Sequence, residues 1–354
     1  MAKIAFLSFY SGVVDRGAET FVYELSKRLT PKHKITIFQA GQTIHNPRVR
    51  TYQIKAFANF PKSSRGLLAK LYLDWQSIEI LIFAIRALPK ILPQKFDVII
   101  LMNGGWQTII YRIFSKVSGS KIIITGHAGI GADDAFNIFF RPDAFVALTK
   151  VQYNWAKKIT SEVNITLIPN GVDLAAFNPK VKAKNIPLKK PIIVCAAALV
   201  PYKQVDLTIK AVAKTSLSLL LLGNGQMAGQ LDTLGKRLLG NKYLRTNPAY
   251  REMPSYYTNG KVFTLASKTE AFGIAYLEAM ACNLPIVATN DESRAEIIGD
   301  AGILTDPKDI SRNSRDLQIA AKTNYRNIPY DQALKFSWNR VAGHYTKLIK
   351  QLTT

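Results

Sequence analysis

Apolar and polar positions follow two rhythms along this chain, and the two alternate. Short β-branched runs at Lys3–Ser8, Lys34–Gln39, Asp97–Met102, Lys121–Thr125 and Ala144–Leu148 carry the hydrophobicity of strands buried on both faces. Between them, segments of helical period run from about Ala18 to Leu29 and from Leu67 to Leu88. Such alternation predicts a parallel sheet with crossover helices. After a polar, Lys- and Pro-rich stretch, Asn178–Pro191, the pattern restarts. Strands are predicted at Ile192–Ala196, Ser218–Leu222, Lys261–Leu265 and Pro285–Ala288, and helices from about Val205 to Lys214 and Ile274 to Cys282. The restart predicts two doubly wound units facing each other across a cleft, with ligands at the carboxyl ends of the strands. A last helical segment, Asp331–Leu352, comes too late to join the second sheet.

Length and composition narrow the class. With 354 residues, 48% of them hydrophobic, the chain has ample core for two domains and is neither a disulfide-stapled miniprotein nor disordered. Cys195 and Cys282 lie far apart inside apolar runs, which argues against a disulfide framework or cysteine-ligated zinc and fits a reducing compartment. The start, Met1-Ala-Lys-Ile-Ala-Phe-Leu, lacks a basic n-region and a small-residue cleavage site, so a first strand is expected there instead of a signal segment. The apolar stretch Ile78–Leu92 is broken by Glu79, Arg86, Pro89 and Lys90, short of the ~20 clean residues of a membrane span. Charge changes the picture more. The 47 Lys+Arg against 24 Asp+Glu leave a formal net charge of +23, which keeps nucleic acid, an anionic membrane surface and polyanionic substrates open as partners.

The chemistry concentrates in Ser267-Lys-Thr-Glu270-Ala-Phe-Gly273-Ile-Ala-Tyr-Leu-Glu278 and the run that follows to Pro285. A strand precedes it, a loop carries Glu270, and the neighbourhood of Gly273 opens a helix whose first N–H groups have no intrahelical partner. Free donors and the positive end of the dipole make that helix start an anion site. Glu278 lies eight residues after Glu270, about one turn into the helix, so both carboxylates border one ligand whose phosphate sits between them. A carboxylate accepts both hydroxyls of a vicinal diol, as in a ribose or hexose. As two isolated glutamates, the same residues would be solvated charges at a helix start.

At these residues the chain resembles the retaining glycosyltransferases of the family 4, glycogen-synthase-like type. Glu270, Phe272, Gly273, Glu278, Ala279, Met280, Ala281 and Pro285 occupy matching places in that family's Glu-x7-Glu segment. The resemblance continues over nearly the whole chain: the Gly-rich loop and helix from Gly17 to Leu29, Ile168-Pro-Asn-Gly171-Val-Asp173, Leu222-Gly223-Asn-Gly225, and Phe336-Ser-Trp338. It implies the GT-B architecture, an α/β fold of two Rossmann-like doubly wound domains. Residues 1–178 would form the acceptor-side domain, 179–330 the nucleotide-sugar domain, and 331–354 a C-terminal helix packing back on the first.

Roles follow from the same resemblance. Glu278 is expected to bind the ribose hydroxyls and Glu270 those of the transferred sugar, while backbone amides around Phe272, Gly273 and Ile274 hold the diphosphate. Lys203, in Tyr202-Lys203-Gln-Val-Asp206, matches the lysine that neutralises the departing diphosphate. His127, in Thr125-Gly-His127-Ala-Gly, matches a histidine over the donor sugar, and Gly17 is expected to let backbone approach the phosphates. A His after a strand and a loop Gly are otherwise ordinary structural residues. Four departures stand out: Ala198 where members usually carry Arg, Gln204 and Asn283 where they carry Gly, and Ala266 where they carry Pro. Losing a guanidinium beside a diphosphate removes a contact of roughly 1.5–3 kcal/mol unless another cation substitutes, and Arg16 is a candidate substitute. Asn at 283 accepts a left-handed conformation.

No Asp-x-Asp motif occurs, so the reaction is expected to need no metal or other cofactor, with lysine, helix dipole and amides stabilising the leaving diphosphate. The resemblance implies retention at the anomeric carbon, with domain closure bringing His127 to the sugar and excluding water. The stretch Phe57–Lys95, preceded by Lys55, mixes Phe57, Phe60, Leu67, Leu68, Leu71, Tyr72, Trp75 and Phe83 with Lys62, Arg65, Lys70, Arg86, Lys90 and Lys95. Such a basic, aromatic stretch lies in an anionic membrane interface or forms an ordinary crossover helix with a basic rim. The resemblance favours the first reading and implies a cytoplasmic protein, peripheral at the inner membrane face, with a glycan or lipid-linked acceptor. Nucleic-acid binding is not expected, since no zinc-finger spacing or basic arm accompanies the scattered cations. A nicotinamide oxidoreductase lacks its Gly-x-Gly-x-x-Gly opening here. A sugar-nucleotide hydrolase or epimerase on the same scaffold is the nearest competitor. Tyr202-Lys203-Gln-Val-Asp206 resembles the variant found in mannosyltransferase-like members, which tilts the expected donor toward GDP-mannose, with UDP-sugars open.

Overall fold

The computed structural model describes residues 1–14, 16–42, 46–56 and 71–354. It divides into two compact units, Met1–Asn170 with Trp338–Thr354, and Gly171–Ser337.

In the first unit, β1 (Lys3–Ser8), β2 (Lys34–Gln39), β3 (Arg50–Gln53), β4 (Val98–Leu101), β5 (Lys121–Thr125), β6 (Ala144–Ala147) and β7 (Asn164–Leu167) form a parallel sheet in the order β3-β2-β1-β4-β5-β6-β7. The central strands are buried almost residue for residue, which is why their sequences are continuously apolar and do not alternate. Leu7 sits beside Phe38 on one side and Leu101 on the other, and these join Phe9, Phe83, Tyr111 and Phe145 in one core. The reversal of strand order between β1 and β4 is a topological switch point, the place where an open α/β sheet offers a ligand crevice.

The last helix of the chain, Trp338–Thr353, belongs to this unit. Its Trp338 and Tyr345 rings meet Phe21 of the helix Gly17–Leu29 edge-on at 5.9 and 5.7 Å. Arg28 Nε donates to Asn339 Oδ1 at 3.1 Å. Trp338 is fully buried. Trp338→Ala is therefore expected to destabilise the first unit by about 3–5 kcal/mol, read as a lower thermal unfolding midpoint.

The second unit repeats the plan with β8 (Ile192–Ala196), β9 (Ser218–Leu222), β10 (Tyr243–Thr246), β11 (Val262–Leu265), β12 (Ile286–Thr289) and β13 (Gly302–Thr305), all parallel, in the order β10-β9-β8-β11-β12-β13. Its switch point lies between β8 and β11. Cys195 and Cys282 are both buried and free. Among the described residues no helix is long and apolar enough to cross a membrane.

Three boundaries differ from the sequence expectation. The break expected at 178/179 falls after Asn170, because residues 171–178 pack into the second unit: the Phe177 ring meets those of Tyr250 and Tyr257 at 5.6 and 5.9 Å. The helix expected over Asp331–Leu352 is two helices, Ile328–Leu334 and Trp338–Thr353. Val172 N–H donates to Phe336 O at 2.9 Å and Val172 bridges Ser337, holding that backbone out of the helix. Of the helix expected over Leu67–Leu88, residues 67–70 lie outside the described residues. Leu71–Asp74 forms a turn with Tyr72 at φ 56°, and the helix runs from Trp75 to Ile91, capped by Asp74, which accepts from Ser77 N–H at 3.3 Å. Elements not anticipated include the edge strands β3, β10 and β13 and the helices Trp106–Ser118, Ala132–Phe139, Lys150–Ile159, Ala228–Leu239 and Ile310–Lys322.

Candidate functional site

The carboxyl ends of β8 and β11, neighbours at the switch point of the second unit, carry the residues singled out by sequence. After β11 the chain runs through buried Ala266 and Ser267 to Glu270 and then to Gly273, which has φ 89° and precedes the buried helix Ile274–Ala281. A Cβ at Gly273 would meet the Tyr276 ring at 2.6 Å, so this entry demands glycine for both backbone and space. No side chain caps the helix start, which leaves its first N–H groups as donors for an anion. Phe272 is buried and packs edge-on against Phe336, and Ile274 is buried beside it.

After β8 the chain enters the short turn Pro201–Lys203. Lys203 Nζ lies 2.6 Å from Glu270 Oε1, with the two side chains only 14% and 10% exposed. The loops themselves are tied: Lys268 N–H donates to Tyr202 O at 2.8 Å. The turn after β9 hugs this region, since a Cβ at Gly223 would stand 2.0 Å from the Ala197 carbonyl oxygen. Gln204, one of the four departures, sits at φ 48°, a left-handed conformation that explains a glycine preference at this position. Asn283, another, has φ 61° as its residue type allows, and its Nδ2 donates to Arg326 O at 2.8 Å.

Glu278 is 5% exposed and accepts a hydrogen bond from Tyr257 Oη at 2.9 Å. Burial, reinforced by the Glu278 charge, pushes the Tyr257 phenol well above its ordinary pKa, so the tyrosine stays a donor. Two residues that the sequence reading missed, Tyr257 and Arg294, close the site. Buried Arg294 donates to the Ser267 carbonyl and to Tyr276 Oη. Neither lies in an obvious motif; Arg294 ends the polar Asn290–Arg294 segment directly after β12.

Glu270, Glu278, Lys203, Phe272, Gly273 and Ile274 are thus brought together within the second unit. Gly17 and His127 belong to the first. Gly17 is an exposed first residue of the helix Gly17–Leu29, and the loop glycine with a left-handed backbone is Gly12, at φ 75°. Arg16, proposed from sequence as a spare cation, pairs with Glu19 at 2.9 Å and stacks over Tyr10.

His127 follows β5, its ring edge-on to Phe21 at 4.7 Å and its Nε2 buried without a hydrogen-bond partner. Burial lowers its pKa to about 4, so the imidazole is neutral through the physiological range. Its loop is held by Gln152, whose Nε2 donates to Gly126 O at 2.9 Å and to Asp134 Oδ2 at 3.0 Å. Burial, with a smaller push from Asp133, raises the Asp134 carboxyl to about 8. The two groups act on stability with opposite signs. His127 withholds a proton that the unfolded chain takes up below about pH 6.5, so it lowers stability as pH falls toward 4. Asp134 keeps a proton that the unfolded chain loses above its ordinary value, so it lowers stability as pH rises to about 8. Between 6.5 and 8 only Asp134 contributes, and Asp134→Asn is expected to flatten the stability loss there, measured as urea midpoints across that window.

A family model described as "Glycosyltransferase Family 4" matches residues 16–176 and one described as "Glycosyl transferases group 1" matches residues 177–328. Over 92 residues the chain is 37% identical to an O-antigen chain mannosyltransferase B of Escherichia coli, covering 25% of this chain and 24% of that one. Over 168 residues it is 29% identical to a GDP-mannose-dependent monoacylated alpha-(1-6)-phosphatidylinositol monomannoside mannosyltransferase of Corynebacterium glutamicum, covering 42% and 44%. The chain thus spans less than half the length of these two curated relatives. In fold it matches a sucrose-phosphate synthase of Thermosynechococcus elongatus with a TM-score of 0.83 over 99% of both chains at 19% identity. Two parallel Rossmann-like sheets, family matches over both units and this structural likeness together make the chain a member of the GT-B glycosyltransferases of family 4 type.

Proposed function

We propose that this chain moves a hexose from a nucleoside-diphosphate sugar to a glycan or lipid-linked acceptor, with retention at the anomeric carbon and without a metal ion or other cofactor. The observation that carries the reading is the Lys203–Glu270 pair at 2.6 Å beside the uncapped helix start at Gly273. An ammonium and free amides there favour a diphosphate, and a carboxylate within reach of the same ligand favours sugar hydroxyls. In this mechanism the acceptor oxygen bonds to the anomeric carbon on the face the nucleotide leaves. The bond from that carbon to the diphosphate oxygen breaks, and the acceptor proton passes to the diphosphate. Lys203 and the amides of Phe272, Gly273 and Ile274 stabilise the departing charge. Glu270 binds the transferred sugar and Glu278 the ribose. His127, neutral, is assigned to the sugar and Gly17 to the phosphate side, both from the resemblance alone.

GDP-mannose is the favoured donor, supported by the Tyr202–Asp206 variant and by the activities named for the two curated relatives. Thermal-shift screening with GDP, UDP and ADP sugars, followed by product analysis, tests the donor and the α or β outcome. A rate unchanged by EDTA supports metal independence. Release of nucleoside diphosphate without acceptor, at the full rate, would instead favour the hydrolase reading.

The acceptor is proposed to lie at an anionic membrane surface, the inner face of the cytoplasmic membrane. The +23 charge and the exposed Leu71, Leu73, Trp75 and Phe139 of the first unit support this. Phe57, Phe60, Lys62, Arg65, Leu67, Leu68 and Lys70 of the basic aromatic stretch lie outside the described residues. Binding to phosphatidylglycerol vesicles at low salt, lost at high salt, is the expected result. Absence of binding at low salt would end the membrane assignment.

A further inference from the structure

One buried cation beside the site takes no part in the proposed transfer step. Arg294, in the helix Glu292–Ile298 after β12, is 2% exposed. A guanidinium stays charged at any working pH, and a buried charge persists only where its donors are used. Those donors reach one loop and its neighbour: Nη2 to the Ser267 carbonyl at 2.7 Å, Nε to Tyr276 Oη at 3.2 Å, and Nη1 to Asp291. Ser267 begins the segment that carries Glu270, and Tyr276 is the ring that faces Gly273 at its other end. Arg294 therefore grips both ends of the stretch Ser267–Gly273.

Its charge matters at the same place. Burial works against the charged form, yet the Tyr276, Asp291 and Glu270 oxygens outweigh burial and hold the guanidinium more firmly charged than usual. Glu270 pairs with Lys203 and Asp291 with Arg294, Glu278 is held by Tyr257, and Asp291 is 39% exposed to screening water. A diphosphate adds negative charge to that balance. Residue 198, itself exposed in the loop before Lys203, is Ala and adds no cation.

We propose that Arg294 is a positioning residue for the donor diphosphate, holding the Ser267–Gly273 loop in its anion-binding form and supplying from behind that loop the positive charge that position 198 lacks. The proposal rests on the reading of this site as one for nucleoside diphosphates.

The test is calorimetric titration of GDP and UDP into the parent chain, Arg294→Met, Ala198→Arg and the double variant, with melting curves for each. Arg294→Met is expected to weaken binding by about tenfold or more, the scale of one lost charge-assisted contact. Ala198→Arg is expected to recover most of that loss in the double variant and to change the parent's affinity by less than about threefold. Unchanged affinity in Arg294→Met, or no recovery in the double variant, overturns the proposal, since a purely packing role is not restored by a cation on another loop. If Arg294→Met does not fold, Ala198→Arg alone decides, because position 198 is exposed and tolerates the change. A gain of about tenfold there would show that no charge was being supplied, and an unchanged affinity supports the proposal. If the parent binds neither nucleotide, the diphosphate reading falls first and this one with it.

Discussion

Lys203→Ala is expected to lower kcat/KM for sugar transfer by about 100- to 1,000-fold, the range found when one preorganised donor to a developing charge is removed. Among the described residues Lys203 Nζ is the side-chain cation paired with Glu270, and both groups are largely buried, so on this proposal the ammonium would meet a bound diphosphate in a medium where charge is poorly screened. The same substitution has a second effect that must be separated from the first. It strands the Glu270 carboxylate, and breaking a buried pair by removing one partner destabilises by about 3–5 kcal/mol at full burial. With 10–14% exposure of the pair, the expected loss is toward the lower end of that range. Lys203→Ala/Glu270→Gln is therefore expected to regain most of the thermal stability and none of the rate. Steady-state kinetics with melting curves on the single and double variants check this, and recovery of transfer in the double variant would remove Lys203 from the chemistry.

Glu278→Ala is expected to act on binding instead. Its carboxylate is held by Tyr257 Oη at 2.9 Å, which aims it and keeps one oxygen occupied. Hydrogen bonds from a ribose diol to a carboxylate are worth roughly 1.5–3 kcal/mol, so the nucleoside diphosphate should bind about 10- to 100-fold more weakly. At saturating donor kcat should fall much less, the pattern of lost uniform binding. Tyr257→Phe leaves the carboxylate but frees its orientation, and a smaller loss of the same kind is expected. Isothermal titration against the parent separates the three. A Glu278→Ala variant with parental affinity and reduced kcat would reverse the assignments of Glu278 and Glu270.

Much of this site was legible before any coordinates. The continuous apolar runs marked buried parallel strands, and the Glu270–Gly273–Glu278 spacing marked a helix start with two carboxylates. The left-handed backbone at Asn283 was expected from its residue type, whereas that at Gln204 came only with the structure. Helix limits were less legible. Periodicity continues through Leu71–Asp74 and through Phe336–Ser337, and it is a side-chain cap in one place and a pairing with Val172 in the other that interrupts the helix.

By itself the sequence determined the alternation of strands and helices, the glycine entry to the helix at Ile274, and the residue types that suit a sugar nucleotide. These depend on local rules: which side chains suit a two-sided strand, and which residue tolerates a positive φ. Tertiary structure alone decided that Lys203 touches Glu270 across 67 positions, that Tyr257 aims Glu278 across 21, and that Arg294 reaches Ser267 across 27. It also decided that the first unit ends at Asn170 and takes back the chain from Trp338. Such contacts follow from the order in which parallel strands pair. Crossover helices carry residues distant in sequence to the same end of the sheet, and no local pattern records which of them will meet.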